Sequence, residues 1–324
     1  MASLNYSHAQ YPVFLKAFHQ FGRLSAKVDT VIDFPDASRI HAVVEWHDAW
    51  YLRDLSKNGV RVNGHLISPH QPYLLQVQDQ ICFSGYQDAP FVVADLEPPR
   101  DLLVPETDNA DPDIKPIYLE RYHFLPSENS PEIVLFYNMT VQEWQCEHVE
   151  NGETYPLRDG EMLQFSHHAW RLIKGVDTGI EETVQFNTQT NDELCYIFNI
   201  SQDEELTELI IRDHNHQIDC EVRSHHYLTA LLARYKAEDL KQHVPESEQG
   251  WRSVMQLMKD MGLSETHLNI QIHRARKQIQ DVLLSEGLMV PDFIERKRGR
   301  VRLAVRDYQV IKGSRLEVDS RHLS

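Results

Sequence analysis

The sequence predicts a multidomain chain of β plus α/β class: an N-terminal β-sandwich, a small β-rich middle segment, and a C-terminal domain of strands, helices and a basic hairpin. Three observations lead there. Short β-prone runs recur about every ten residues through 11–97, and β-like runs return in 117–190, with turn residues between them. From about residue 194 the apolar pattern shifts from strands toward helical spacing. The charge is also divided. The 324 residues carry a net charge of −17, yet residues 251–324 hold 14 Lys and Arg against 9 Asp and Glu, while residues 1–250 hold 18 against 40. An acidic body with a basic tail differs from a uniformly acidic enzyme.

A 41% hydrophobic and 25% charged composition fits soluble domains with real cores. Cys82, Cys146, Cys195 and Cys220 are far apart and form no C-x-x-C, which argues against a zinc ribbon or a secreted disulfide framework and for a reducing cytosol. The N-terminus lacks a basic region followed by an apolar run, and no stretch reaches the roughly 18 apolar residues of a membrane span. A cytoplasmic protein without membrane contact is expected.

The elements follow in order. Residues 1–97 contain V-D-T-V-I-D-F, H-A-V-V-E-W, A-W-Y-L-R-D-L, Y-L-L-Q-V and Q-I-C-F, the strands of a sandwich. Residues 98–116 are acidic, proline-rich and aperiodic, and read as an extended linker. Residues 117–193 are β-like again, in E-I-V-L-F-Y-N-M, E-W-Q-C-E-H-V, E-M-L-Q-F and A-W-R-L-I, but their pattern specifies no fold. L-R-D-G-E-M-L-Q-F (157–165) echoes L-Q-V-Q-D-Q-I-C-F (75–83), as a degenerate second copy of the first domain would. Residues 194–324 begin with two strand runs around Asp213-His214-Asn215-His216. Three helical patterns follow: one with Tyr227, Leu228, Leu231, Leu232 and Tyr235 on a face, one with Trp251, Val254, Met255 and Met258, and one starting near Glu265 behind the N-cap Ser264. The third puts Leu268, Ile272, Ala275, Ile279 and Leu283 on one face and Asn269, His273, Arg274, Arg276, Lys277 and Gln278 on the others. A hairpin of alternating apolar and basic residues then turns at Arg298-Gly299.

Chemistry concentrates in two places. In the first domain Gly22-Arg23, Ser38-Arg39 and Ser56-Lys57-Asn58 interrupt strand patterns, and loops are where a rigid sandwich presents recognition groups. Arginine forks and serine hydroxyls supply the charge and the donors that a phosphate dianion needs. Asn58, with donors and an acceptor, suits an extended peptide backbone. A single S-x-N-G is ordinary turn chemistry. The ordered set is rarer: Gly-Arg, then Ser-Arg-x-His-Ala, then W-x-L-x-D-x-S-x-N-G-x-x-V-N-G, then D-x-I-x-F. Over about residues 14–95 it resembles the forkhead-associated (FHA) domain. The resemblance implies an eleven-stranded sandwich that binds phosphothreonine peptides at one end. Arg23, Ser38 and Ser56 would contact the phosphate, Arg39 and Lys57 would support the charge, and Asn58 would hold the peptide backbone. His41 would tie the loops together, and Asn63-Gly64 would be a turn. Two departures are Val60, where the family has threonine, and a short stretch before Gly22 for the first two strands.

In the tail, L-N-I-Q-I-H-R-A-R-K-Q-I followed by F-I-E-R-K-R-G-R-V-R-L resembles the effector domain of OmpR-type response regulators, a winged helix-turn-helix, over about residues 195–310. A recognition helix needs one apolar face for its core and one polar face for the major groove. By the chemistry of base edges, Arg274, Arg276 and Lys277 suit guanine or phosphate, and Asn269 and Gln271 adenine or phosphate, with His273 on the same side. Lys297, Arg298, Arg300 and Arg302 would hold backbone phosphates with salt-dependent affinity. No phospho-acceptor receiver domain is recognisable, so the input would come from the FHA domain.

The histidine clusters His167-His168, His214-x-His216 and His225-His226 lack metal-ligand spacing, no nucleophile or nucleotide motif appears, and no cofactor is expected. Thr107 in P-E-T-D could serve as an internal phospho-ligand, although such a threonine is usually only linker. The expectation is a non-enzymatic, bacterial-type transcriptional regulator that binds a phosphothreonine protein and double-stranded DNA, with room for a homodimer. The alternative is a phosphopeptide-dependent scaffold in a kinase-signalling or secretion complex, without DNA binding.

Overall fold

The structure, a computed structural model, describes residues 1–6, 12–83, 90–106, 114–139, 141–176, 194–213 and 216–322. The chain divides into two compact units, one of residues 1–126, 135–146 and 155–182, the other of residues 127–134, 147–154 and 183–324.

The first unit opens with a sandwich that has eleven strands among the described residues: β1 (Ser3–Tyr6), β2 (Val13–Phe14), β3 (Phe18–Gly22), β4 (Thr30–Val31), β5 (Ala42–Trp46), β6 (Trp50–Asp54), β7 (Val60–Val62), β8 (His65–Leu66), β9 (Pro72–Leu74), β10 (Gln80–Phe83) and β11 (Phe91–Asp95). One sheet runs β2-β1-β11-β10-β7-β8 and the other β4-β3-β5-β6-β9. Alternation sets the register: Phe21 faces Ala42 and Val44 faces Leu52, all fully buried. Phe21, Trp50, Ile81 and Phe83 fill the space between the sheets. Val60, the departure from the expected threonine, is a fully buried member of this core. The short stretch before Gly22 still supplies two strands, because β1 pairs along its whole length with β11 and only β2 is abbreviated, to two residues.

A second, smaller sandwich follows, built from β12 (Leu102–Glu106), β13 (Ile117–Tyr118), β14 (Tyr122–Leu125), β15 (Ile133–Asn138), β16 (Glu143–His148), β17 (Thr154–Leu157), β18 (Met162–Phe165) and β19 (His168–Ile173). Its sheets run β13-β12-β19-β18 and β14-β15-β16-β17. The order repeats that of the first sandwich. In each, the first strand pairs with the last, the second strand extends from the first, and the penultimate strand flanks the last. The four-stranded meander β14–β17 takes the place of β3, β5, β6 and β9, and the chain passes from β16 to β17 without the β7–β8 hairpin. The segment with no specified fold is therefore FHA-like in topology. The sequence echo falls on equivalent strands, β10 and β18.

The stretch 98–116 is not a linker throughout. Leu102 and Leu103 are fully buried in β12, between β13 and β19. Burying two leucines is worth about 3–6 kcal/mol, which outweighs the local preference of the prolines for irregular chain. Pro105 is tolerated because the pairing with β13 ends at Leu103. Thr107 lies outside the described residues. Met1, Phe14, Leu102 and Val104 form a shared cluster of the two sandwiches, and Lys16 bridges Asp29 (2.9 Å) and Asp159 (2.6 Å).

In the second unit β20 (Cys195–Ile200), β21 (Thr207–Arg212) and β22 (Gln217–Val222) lead into α1 (His225–Lys241), β23 (Arg252–Ser253), α2 (Val254–Met261), α3 (Glu265–Ser285), β24 (Ile294–Lys297), β25 (Arg300–Leu303), β26 (Asp307–Lys312) and β27 (Arg315–Asp319). A five-stranded sheet runs β22-β21-β20-β26-β27, with β20 and β26 parallel, and a three-stranded one runs β23-β25-β24. Ser253 and Ser264 cap α2 and α3 by accepting from the backbone amides of Gln256 and His267. Leu268, Ile272, Ala275, Ile279 and Leu283 all reach the core, whereas Met255, expected inside, is 79% exposed. No described helix is long and apolar enough to cross a membrane.

Candidate functional site

The loops at one end of the first sandwich bring the predicted anion-binding residues together. Gly22 ends β3 where the chain passes against residues 39–40; a Cβ there would collide with the Arg39 carbonyl. Glycine thus permits the two backbone bonds that join these loops, from the Arg23 amide to the Ser38 carbonyl (3.0 Å) and from the Leu24 amide to the Arg39 carbonyl (3.2 Å). Asp54, buried at the end of β6, accepts from the amides of Ser56 (2.8 Å) and Val60 (3.1 Å) and so shapes the 55–59 turn.

His41 joins the parts, as the resemblance implied. It is fully buried; its Nδ1 accepts from the Ser38 amide (3.1 Å) and its Nε2 lies 3.4 Å from the Gly59 carbonyl. With Nδ1 an acceptor, the proton sits on Nε2, facing the carbonyl. Burial holds the ring's pKa below its ordinary value, against the pull of that carbonyl and of Asp54.

The resulting cleft is lined by Arg23, Lys27, Ser38, Arg39, Lys57 and Asn58, with Asp36 beside them. Arg23, Arg39, Lys57 and Asn58 are exposed. The Lys57 amide donates to the Ser38 hydroxyl (3.3 Å), and Asn58 Nδ2 donates to the Asp36 carbonyl (2.9 Å), leaving its Oδ1 and second N–H. Among the described residues, none of Arg23, Lys27, Arg39 and Lys57 comes within ion-pair distance of a carboxylate. Ser56 is half-buried, and its hydroxyl accepts from the Gly59 amide (2.8 Å), which shapes the turn and leaves the hydroxyl proton to donate. Lys27 is a fourth cation that the sequence did not single out, since it stands alone between Ala26 and Val28.

With this geometry in place, the FHA domain family matches residues 19–84. Residues 19–84 are an FHA domain. The same region is similar to the MEK1 FHA domain solved in complex with a HOP1 phosphothreonine peptide, at 25% identity over 29% of this chain and 94% of that one, with a TM-score of 0.25. It is also similar to Mycobacterium tuberculosis EmbR in complex with a low-affinity phosphopeptide, at 31% identity over 29% of this chain and 24% of that one, with a TM-score of 0.25. A third similar structure is the N-terminal FHA domain of Rad53p from S. cerevisiae with a phosphothreonine peptide, at 20% identity over 29% and 91%, with a TM-score of 0.26. No curated protein matches the chain. Beyond the FHA domain, the second sandwich shares the strand order but not the cations. Its corresponding connections, 126–132 and 149–153, carry no Lys or Arg.

The residues expected to read DNA are placed differently. Asn269 and His273, expected on a solvent face of α3, are both fully buried. The reason is a second layer over the helix: Asn269 Nδ2 donates to the Val149 carbonyl (2.8 Å), and His273 Nε2 lies 3.0 Å from Glu147. Arg274 donates to the Glu128 carbonyl (2.9 Å), Lys277 lies 3.6 Å from the Glu128 carboxylate, and Arg276 donates to the Ile294 carbonyl (2.9 Å). Gln271 accepts from the Ser224 hydroxyl (3.4 Å). On the hairpin, Arg300 pairs with Glu248 (3.0 Å) and Arg302 with Glu295 (2.7 Å), and both lie over the Trp251 ring. Lys297 and Arg298 are exposed at the tip, where Arg298 and Gly299 take the positive φ values (50° and 71°) of a two-residue hairpin turn.

The His225-His226 pair has a structural role. The Nε2 atoms of the buried His225 and His226 lie 2.6 and 2.7 Å from Gln278 Oε1, and Gln278 Nε2 donates to the Cys220 carbonyl (2.7 Å). Burial pushes His225 down to about 4, although the bond to Gln278 favours its charged form. His214 lies outside the described residues.

Proposed function

We propose that this chain is a phosphothreonine-dependent signalling regulator. The FHA domain binds a threonine-phosphorylated partner in the loop cleft. Arg23, Ser38, Arg39 and Lys57 take the phosphate, with Lys27 adding charge at the rim; Asn58 takes the peptide backbone, and Ser56 shapes the turn with its hydroxyl proton left to donate. One observation carries this reading: in a chain of net charge −17, cations without ion-pair partners among the described residues converge with a hydroxyl and an amide in one open cleft. The test is calorimetric titration of the full chain with a degenerate peptide library in phosphothreonine, phosphoserine and unphosphorylated forms. Binding confined to phosphothreonine peptides and lost in Arg23→Ala is the expected result. Equal binding of unphosphorylated peptides would sink it.

We further propose that residues 194–324 are a winged helix-turn-helix and that the whole acts on transcription. The support is the order α1-β23-α2-α3-β24-β25, in which β23 joins the hairpin sheet, together with Arg274, Arg276 and Lys277 on α3 and Lys297 and Arg298 at the hairpin tip. Retention of a mixed-sequence duplex by the full chain, falling steeply with salt and weakened by Arg298→Ala, is expected. The burial of Asn269 and His273 favours a second reading, a phosphopeptide-dependent adaptor whose α3 is used inside the protein. No duplex binding at low salt, in any released form of α3, would leave that reading standing.

A further inference from the structure

Peptide recognition leaves unused a deeply buried charge among the described residues of the second unit. Glu147 is 1% exposed. Its Oε1 lies 3.0 Å from Nη1 of Arg296 and 3.0 Å from Nε2 of His273. Its Oε2 accepts from the Thr154 hydroxyl (3.1 Å) and lies 4.0 Å from Nη1 of Arg276. Burial alone would raise this carboxyl. The ring of His273 and the charges of Arg276 and Arg296 outweigh it and bring it down to about 2. Asn269 closes the group, its Oδ1 accepting from Arg296 (2.8 Å).

Two acidic segments supply the covering layer. Residues 127–134 and 147–154 hold Glu128, Glu132, Glu147, Glu150 and Glu153 and no Lys or Arg. Between them they engage Arg274, Arg276 and Lys277 of α3 and Arg296 of β24. Gly152, at φ +66°, takes a conformation that favours glycine and packs directly against the Arg296 guanidinium.

We propose that Glu147 fills an anion seat, made by α3 and the hairpin, that would otherwise take a nucleic-acid phosphate, so that the two acidic segments and DNA compete for one surface. This rests on the reading of residues 194–324 as a DNA-binding domain. Two guanidinium groups and an imidazole converge on one carboxylate, with the Asn269 amide oxygen holding Arg296 beside it, and the same donors serve a phosphodiester. Asn269, His273 and Arg276 stand at i, i+4 and i+7, one stripe of the helix, as entry into a groove requires. The closed chain is therefore a latched state in which a carboxylate stands in for the phosphate.

The experiment uses the full chain with a fluorescent mixed-sequence duplex at low salt, and follows amide exchange of residues 147–154 in parallel. Glu147→Gln removes the charge in the seat. Gly152→Ala disturbs the fit with no change of charge. Glu150→Gln makes the same charge change on an exposed side chain of the same segment. The first two variants are expected to speed exchange in 147–154 and to tighten duplex binding about tenfold or more, a gain of about 1.4 kcal/mol, while Glu150→Gln changes it less than about twofold. In the wild-type chain, saturating duplex should itself speed exchange in 147–154, because competition is reciprocal. If wild type and all variants bind the duplex alike, the DNA reading stands and the latch is overturned. If exchange shows the segments released and no variant binds, the DNA reading fails and the phosphate seat fails with it. Should either substitution prevent folding, unchanged exchange in the duplex-bound wild type is sufficient to overturn the proposal.

Discussion

Where the FHA sandwich ends in Arg23, Lys27, Arg39 and Lys57, the corresponding connections of the second sandwich carry Glu128, Glu132, Glu150 and Glu153, with Glu147 just before them at the end of β16. The strand orders match, first strand beside last and a meander opposite, and among the described residues the smaller copy lacks counterparts of the lone β4 and the β7–β8 hairpin. Even the Asn-Gly pair recurs after the equivalent strand, as Asn58-Gly59 and Asn151-Gly152. Scaffold and recognition are thus separable: the order of strands survives while the sign of the charge at one end reverses. One end is an open cleft lined by cations. Segments of the other are spent on basic side chains of the same chain.

The largest effect should come from making the first end resemble the second. Arg23→Glu with Lys57→Glu replaces two charge-assisted contacts, each worth about 1.5–3 kcal/mol, by repulsion. Phosphothreonine peptide affinity is expected to fall at least a hundredfold by calorimetry, with the thermal midpoint unchanged; a smaller loss would move the phosphate elsewhere. Next comes the joint beneath the cleft. Gly22→Ala forces a Cβ onto the Arg39 carbonyl and should cost about 2 kcal/mol of stability, in the range of overpacking, with weaker peptide binding as a consequence. Urea unfolding measures the first and titration the second, and a fully stable variant would show that the two loops need not touch.

Acid separates the sandwiches in another way. His19 and His41 are buried in the first, and no described histidine of the second is buried. Burial brings His19 down to about 4 despite the nearby Asp29 carboxylate. Below its ordinary pKa the unfolded chain takes up a proton at this position and the folded chain does not, so stability falls as pH falls. A single such histidine costs about 2 kcal/mol between pH 7 and pH 5. Amide exchange, corrected for intrinsic rates, should accelerate in β3 and β5 and much less in β15 and β16; uniform acceleration would refute the assignment. The smallest effect is salt. The cleft cations are exposed, so raising ionic strength from about 0.1 to 0.5 M should weaken peptide binding only about two- to fivefold.

The first sandwich was legible because its signals are local. Alternating runs and the spaced Gly-Arg, Ser-Arg-x-His and Ser-x-Asn-Gly stand in the chain as they stand in the fold. The burial of Leu102 and Leu103 was hidden by Pro98, Pro99, Pro105 and Pro116, because the strand partner that stabilises them lies about seventy residues further on. The covering of Asn269 and His273 was illegible for the same reason. A polar face on a helix looks alike in sequence whether water or Val149 and Glu147 lie against it. The acidic run E-H-V-E-N-G-E held the one available hint, an Asn-Gly turn matching that of the FHA loop.

The parallel pairing of β20 with β26 has a consequence for how the last domain comes to exist. Cys195 faces Asp307, and Ile200 faces Lys312, across more than a hundred intervening residues. During synthesis β20 has its hairpin partner β21 at once, but its other edge stays open until nearly the whole domain has left the ribosome. Nascent chains halted before Asp307 should expose Tyr196 and Phe198 as adhesive surface.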